Sequence, residues 1–239
     1  MAGRGQGGIS GGRRLARQRL KSPKQRSQSS RHWLERQLND PYVAAARRDG
    51  YRSRAAYKLA ELDARFRILK PGRRVVDLGA APGGWAQVAA AAVRSTDGQG
   101  QVVAIDLLAM EAVAGVESIE LDFMDPAAPG RLKAMLRDSR ADVVLSDMAA
   151  QGTGHARTDH LRIVGLAEAA AEFACEVLEP GGAFVCKVFQ GGSERALLDR
   201  LKRAFAAVRH VKPPASRAES AEMYVVATGF RGADGQEPK

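Results

Sequence analysis

The chain has 239 residues, 45% hydrophobic and 27% charged, with a formal net charge of +10. That supports one well-filled core and is short for two. No apolar run nears the ~18 residues of a membrane helix, no apolar signal segment follows the basic start, and two cysteines, Cys175 and Cys186, make neither a disulfide framework nor a metal site.

The charge is uneven. Residues 1–36 hold ten Lys and Arg against one acid, Glu35, whereas the rest carries 27 basic and 26 acidic residues. The high isoelectric point therefore belongs to an arm. Residues 1–35 are rich in Gly, Ser, Gln and Arg and too poor in apolar side chains to offset ordering entropy, so they read as disordered. Such an arm suits a polyanion partner; a solvated tail is the alternative. Its composition also has a slight likeness to a transit peptide, without the amphipathic helix. Residues 36–231 read as one catalytic domain and 232–239 as a flexible tail.

From about residue 40, helices and strands alternate. Ser53 is placed to cap a helix to about Phe66, with Ala56, Leu59, Ala60, Leu62 and Phe66 near helical spacing. Pro71-Gly72 ends it. Arg74–Leu78 is a short strand and a helix follows Gly84. Val102–Ile105, Ser118–Leu121 and Asp142–Ser146 are further strands. An Ala-rich helix runs from about Asp159 to Leu178 and stops at Pro180-Gly181-Gly182. Ala183–Phe189 is a strand, Glu194–Ala206 a helix, Val208–Val211 and Met223–Thr228 the last strands. The pattern is α/β: a Rossmann-like, seven-stranded, mostly parallel sheet with helices on both faces and an antiparallel pair at one edge.

Asp77-Leu78-Gly79-Ala80-Ala81-Pro82-Gly83-Gly84-Trp85 runs from strand into helix. Gly79 and Gly83 allow a tight turn and close approach of a ligand. The spacing Gly-x-x-x-Gly-Gly departs from the dinucleotide fingerprint, which argues against NAD. Asp106 ends the second strand, where an acid accepts hydrogen bonds from ribose hydroxyls. Asp122 follows the third, beside Phe123, and suits an adenine amine and ring face. Singly, each acid reads as a cap or a loop residue. Asp77, Asp106 and Asp122 at successive strand ends together describe an adenosine pocket.

A second group is charged. Asp147 closes the fourth strand. Lys187 lies inside the apolar run Ala183–Phe189, where a lysine is costly unless paired. Glu222 opens the last strand. Lys58 sits in the first helix, where a solvated face and a functional role are equally open.

The strings Arg52-Ser53-Arg54-Ala55-Ala56-Tyr57-Lys58-Leu59, Asp77 to Trp85, Leu145-Ser146-Asp147-Met148-Ala149, Lys187-Val188-Phe189-Gln190-Gly191 and Glu222 to Gly229 resemble the RlmE/FtsJ family of ribosomal RNA large-subunit 2′-O-ribose methyltransferases. The likeness covers roughly residues 32–230. It implies a Lys-Asp-Lys-Glu catalytic tetrad at Lys58, Asp147, Lys187 and Glu222. It implies S-adenosyl-L-methionine as cofactor, held by Gly83, Trp85, Asp106, Asp122 and Asp147. The implied substrate is a uridine ribose in the A-loop of 23S rRNA, within the large ribosomal subunit. One departure stands out: Ala150-Gln151 follows Asp147-Met148-Ala149 where the bacterial pattern has Pro-Asn.

The expected reaction is in-line transfer of methyl to a ribose 2′-oxygen, with Lys187 as base, or as a group that steers the hydroxyl, Asp147 orienting Lys187 and the donor, and Glu222 positioning a lysine or the ribose hydroxyl. A tRNA ribose methyltransferase would share these residues; a non-catalytic ribosome-assembly factor would not need them. His32, His155, His160 and His210 have no ligand spacing, and no metal is expected. Arg47, Arg48, Arg52 and Arg54, with Arg200, Lys202, Arg203, Arg209 and Lys212, are candidate phosphate contacts. A cytoplasmic monomer with no membrane contact is expected.

Overall fold

Among the described residues, seven strands form one sheet. They are β1 (Arg74–Leu78), β2 (Gln101–Asp106), β3 (Val116–Glu120), β4 (Ala141–Ser146), β5 (Leu178–Phe189), β6 (Phe205–Val211) and β7 (Glu222–Phe230). The spatial order is β3-β2-β1-β4-β5-β7-β6. The computed structural model describes residues 34–35, 37–149, 156–189 and 195–232. Most of the basic arm, Ala150-Gln151, His32, His155, Gln190-Gly191, Glu194 and the tail from 233 lie outside these residues.

Strands β1 to β5 pair in parallel, and β7 runs antiparallel between β5 and β6. The two antiparallel pairings thus share β7, and β6 is the edge. Strand order reverses between β1 and β4, the place where open α/β sheets bind ligands beyond their carboxyl ends.

The helices are α1 (Pro41–Asp49), α2 (Ala55–Phe66), α3 (Gly84–Val93), α4 (Ala128–Met135), α5 (Ala156–Val177) and α6 (Arg195–Ala204). The chain divides into two units between Gly50 and Tyr51. In the first, Asp40 caps α1 by accepting from the Tyr42 N–H at 3.0 Å, Pro41 opens the helix, and Gly50 closes it at φ 78°. That is a complete set of start and stop signals.

In the second unit, alternate strand residues bury against opposite layers. Val76, Val103, Val144, Phe184 and Val225 pack with α4, α5 and α6; Val75, Val102, Val143, Val185 and Val226 pack with α2 and α3. Strands covered on both faces become continuous apolar runs, which is why the sequence showed them.

Four details differ from expectation, one of them α1, for which no helix was read from the sequence. Ser53 does not cap α2: its Oγ is buried without a hydrogen-bond partner, and Arg54 takes the cap position. Strand β5 starts at Leu178, opposite Ala141, and resumes pairing at Ala183 opposite Val143, so Pro180-Gly181-Gly182 forms a bulge within a strand. Helix α4, with Ala128 and Leu132 buried, was not read from the sequence at all.

Candidate active site

Register brings the charged residues together. Ser146 of β4 lies opposite Cys186 of β5, so Asp147 and Lys187 follow as neighbours at the carboxyl ends. Across the antiparallel pair, Lys187 faces Tyr224 and Phe189 faces Glu222. With a period of two, Lys187, Tyr224 and Glu222 point to the side that holds α2. Helix α2 brings Lys58 to the same side.

The result is a continuous chain of contacts. Lys187 Nζ donates to the Asp147 backbone carbonyl at 2.6 Å and lies 3.2 Å from Asp147 Oδ1. The Tyr224 hydroxyl donates to that same oxygen at 2.7 Å. It accepts from Lys58 Nζ at 3.2 Å. Lys58 Nζ also binds Glu222, 2.7 Å from Oε1 and 2.8 Å from Oε2. Ser216 donates to Glu222 Oε1 at 2.8 Å. All four tetrad residues are therefore joined, with Tyr224 standing between the two lysines.

Burial makes these links matter. The Lys187 side chain is 8% exposed and belongs to an interior strand, not an edge. Tyr224 is fully buried. Burial first, then the charges of Asp147 and Glu222, push its hydroxyl well above the ordinary tyrosine range. It remains a donor at any ordinary pH. Its ring packs against Trp85, centroids 5.6 Å apart.

On the other side of the sheet's carboxyl edge lies a cavity of about 550 Å³, walled by Gly79, Ile105, Asp106, Asp122, Phe123, Met148 and residues of α5. Asp106 is held by two backbone N–H groups, Ala81 to Oδ2 at 2.9 Å and Leu108 to Oδ1 at 2.8 Å. Asp122 accepts from the Met124 N–H at 2.9 Å. These are turn-forming hydrogen bonds, and each acid keeps lone pairs for a ligand. Asp147, in the tetrad, and Met148, in the cavity wall, are consecutive, so the two regions meet there. Gly79, at φ 77°, lies so close that an added Cβ would stand 2.8 Å from Met148 Cα.

Asp77 does not join this cavity. It faces the α2 and α3 side, is fully buried, and neither carboxylate oxygen has a hydrogen-bond partner. Loss of solvation, with the charges of Asp147 and Asp106 adding to it, pushes its carboxyl up to about 8. Of the three acids read together in the sequence, two, Asp106 and Asp122, line the cavity. Gly83 and Trp85 lie apart from the cavity wall too. Gly83 precedes α3 at φ 107°, and the Trp85 indole N–H donates to the Ala55 carbonyl at 2.8 Å. No group of His, Cys, Asp and Glu among the described residues could hold a metal ion, and no described helix is long and apolar enough to cross a membrane.

A family model described as FtsJ-like methyltransferase matches residues 51–230. The chain belongs to the FtsJ-like methyltransferase family. The relative named Ribosomal RNA large subunit methyltransferase E from Azorhizobium caulinodans is 64% identical over 214 residues, 90% of this chain and 89% of the relative. The protein of that name from Rhodopseudomonas palustris strain TIE-1 is 65% identical over 204 residues, 85% of this chain and 86% of the relative. A crystal structure from Plasmodium falciparum, described as a ribosomal RNA methyltransferase, superposes with TM-score 0.68 at 31% identity, over 76% of this chain and all of that one.

Two residues of this FtsJ-like site escaped the sequence reading: Tyr224 and Ser216. Tyr224 sits two residues after Glu222, on the same strand face, and that spacing was the available signal. Ser216 lies in the 212–221 connection, which carries no periodic pattern. That connection is fixed through backbone. Glu61 accepts from the Ala215 N–H at 2.7 Å, Arg54 donates to the Ala215 carbonyl, and Lys212 Nζ donates to the carbonyls of Ala218 at 2.9 Å and Ser220 at 2.6 Å. Arg52 is likewise engaged, with its guanidinium donating to the carbonyls of Pro82, Glu111 and Ala112. Arg200, Lys202, Arg203 and Arg209 are exposed on α6 and β6. His160 lies on α5 and His210 on β6.

Proposed function

We propose that this chain methylates the 2′-hydroxyl of a uridine ribose in the A-loop of 23S rRNA, on the large ribosomal subunit in the cytoplasm, using S-adenosyl-L-methionine and acting as a monomer. The observation that carries the chemistry is the link from Lys187 through Asp147 to the cavity wall: a buried amine and a carboxylate beside a pocket bearing two further acids. The relatives' names carry the substrate class, and the finer target follows the family resemblance.

The cavity suits the donor. Its volume of about 550 Å³ takes a nucleoside, its walls pair apolar Ile105 and Phe123 with Asp106 and Asp122, and the free N–H groups at the start of α3 suit a carboxylate. Asp106 would hold the ribose hydroxyls and Asp122 the adenine amine. Gly83 and Trp85 would offer backbone at the first turn of α3, and Asp147 would lie beside the amino-acid portion. When bound, the donor supplies an electrophilic methyl group on a sulfonium.

The protein's own residues align and deprotonate. Holding two reactants near attack distance contributes about 7–11 kcal/mol, and a positioned base adds roughly 10²–10⁴-fold. Lys187 would take the 2′-hydroxyl proton as the ribose oxygen accepts the methyl group, with the carbon–sulfur electron pair staying on the donor's sulfur. Asp147 holds Lys187 at two points and fixes its direction. Glu222 and Tyr224 hold Lys58, which steers the ribose. Exposed Arg200, Lys202, Arg203 and Arg209 grip phosphates without reading sequence.

The test is transfer of labelled methyl from S-adenosylmethionine to unmodified large subunits, naked rRNA and tRNA, by wild type and Lys187→Ala. Label on the large subunit, mapped to a ribose and absent with Lys187→Ala, supports the reading. Label on tRNA alone overturns the substrate, and no label on any RNA overturns the activity.

A further inference from the structure

Arg52 was grouped in the sequence with phosphate-binding arginines, but its guanidinium already has partners. Nη1 donates to the Glu111 carbonyl at 2.6 Å and to the Pro82 carbonyl at 3.2 Å, and Nη2 donates to the Ala112 carbonyl at 2.6 Å. Its backbone N–H is taken as well, by Gln87 Oε1 at 2.9 Å. One side chain thus joins three segments distant in sequence: the entry to α2, the glycine-rich turn, and the 107–115 connection between β2 and β3.

That connection is where the cavity needs order. Asp106, the last residue of β2, and Leu107, the first of the connection, line the cavity. Between β2 and β3 it contains no helix or strand of its own, and Leu107 and Leu108 are more than half exposed. It is pressed against the turn: a Cβ added to Gly83 would meet Val113 at 3.0 Å, Arg52 Nη1 at 3.1 Å and Met110 Sδ at 3.1 Å. A planar fork reaches two adjacent carbonyls and a third opposite, which a single ammonium on a flexible stem does not reproduce. A phosphate could claim this guanidinium only by displacing short hydrogen bonds.

We infer that Arg52 is a positioning residue for donor binding: it staples the β2–β3 connection to the glycine-rich turn and so keeps Asp106 and Leu107 in the cavity wall. The inference rests on the donor site proposed above. Without the staple, donor binding must first order the connection, and its affinity falls by that ordering cost.

The experiment uses the full chain as wild type, Arg52→Ala and Arg52→Lys. Calorimetry measures the Kd for S-adenosylmethionine, filter binding measures affinity for large subunits, and hydrogen exchange follows residues 107–115. The expected result is a Kd for donor weakened by about tenfold or more in Arg52→Ala, the size of a lost charged hydrogen bond. Arg52→Lys recovers part of it. Exchange in 107–115 speeds up, kcat at saturating donor stays near wild type, and large-subunit affinity holds. An unchanged donor Kd in the folded variants, even with a lowered Tm, overturns the inference. So does weakened large-subunit binding with donor affinity intact, the mark of a phosphate contact. Wild-type protein that binds no donor overturns the functional proposal itself, a result distinct from either.

Discussion

Tyr224 and Lys187 converge on one atom, Asp147 Oδ1, at 2.7 and 3.2 Å. The tyrosine thus fixes the carboxylate that fixes the lysine.

Replacing Tyr224 with Phe keeps the ring against Trp85 and removes only the hydroxyl. Asp147 and Lys58 each lose a partner in a buried place, so stability should fall by about 1–3 kcal/mol. Methyl transfer should drop roughly tenfold, with the Kd for donor unchanged. Urea unfolding and single-turnover transfer check both. Activity equal to wild type would show that Asp147 is held well enough by Lys187 alone.

Arg at position 187 keeps hydrogen-bond donors toward Asp147 but cannot act as a proton acceptor, because guanidinium stays protonated. Lys187→Arg should therefore be as inactive as Lys187→Ala in a labelled-methyl assay, while still folding and binding donor. Substantial activity in Lys187→Arg would sink the role of base.

The Lys58 and Glu222 side chains are only 12% and 15% exposed. Removing one leaves the other charge buried, so Lys58→Met or Glu222→Leu should each cost about 3–5 kcal/mol. The double variant should cost less than the sum. A double-mutant cycle by denaturant unfolding reads the coupling, and strict additivity would mean that the pair is not energetically linked.

Asp77 makes stability depend on pH in a defined direction. In the fold its carboxyl is raised to about 8; in the unfolded chain it titrates near 4, as carboxylates do. The folded state holds a proton that the unfolded state has lost, so this contribution is full below about pH 4, declines at about 1.4 kcal/mol per pH unit and is gone above about pH 8. Wild type should lose stability relative to Asp77→Asn as pH rises from about 5 to about 9. Parallel Tm curves for the two proteins would contradict the buried, unpartnered carboxyl.

The sheet was readable because strands buried on both faces are written in Val, Ile and Leu, and Lys187 was readable because it interrupts such a run. Helix α4 was not, since Pro126 and Pro129 look like breakers in a short segment, although a proline in the first turn of a helix costs nothing. The early start of β5 was hidden by Pro180-Gly181-Gly182, a spelling that suits a bulge as well as a turn. Asp106 and Asp122, read from their places at strand ends, both line the cavity. The same logic misassigned Asp77, because a strand end does not say which face a side chain takes. Arg52 misled for another reason: its partners are carbonyl oxygens, and every residue has one of those.

Backbone partners also govern the 212–221 connection. Arg54 and Glu61 both address the main chain of Ala215, one its carbonyl and the other its N–H, and the next residue is the serine that touches Glu222. What the site demands of this stretch is a spacing more than a spelling. Substitution by another small residue at 215 leaves both contacts in place, while inserting or deleting one residue there shifts Ser216 out of reach of Glu222. In this chain, the ruler for this part of the site is loop length.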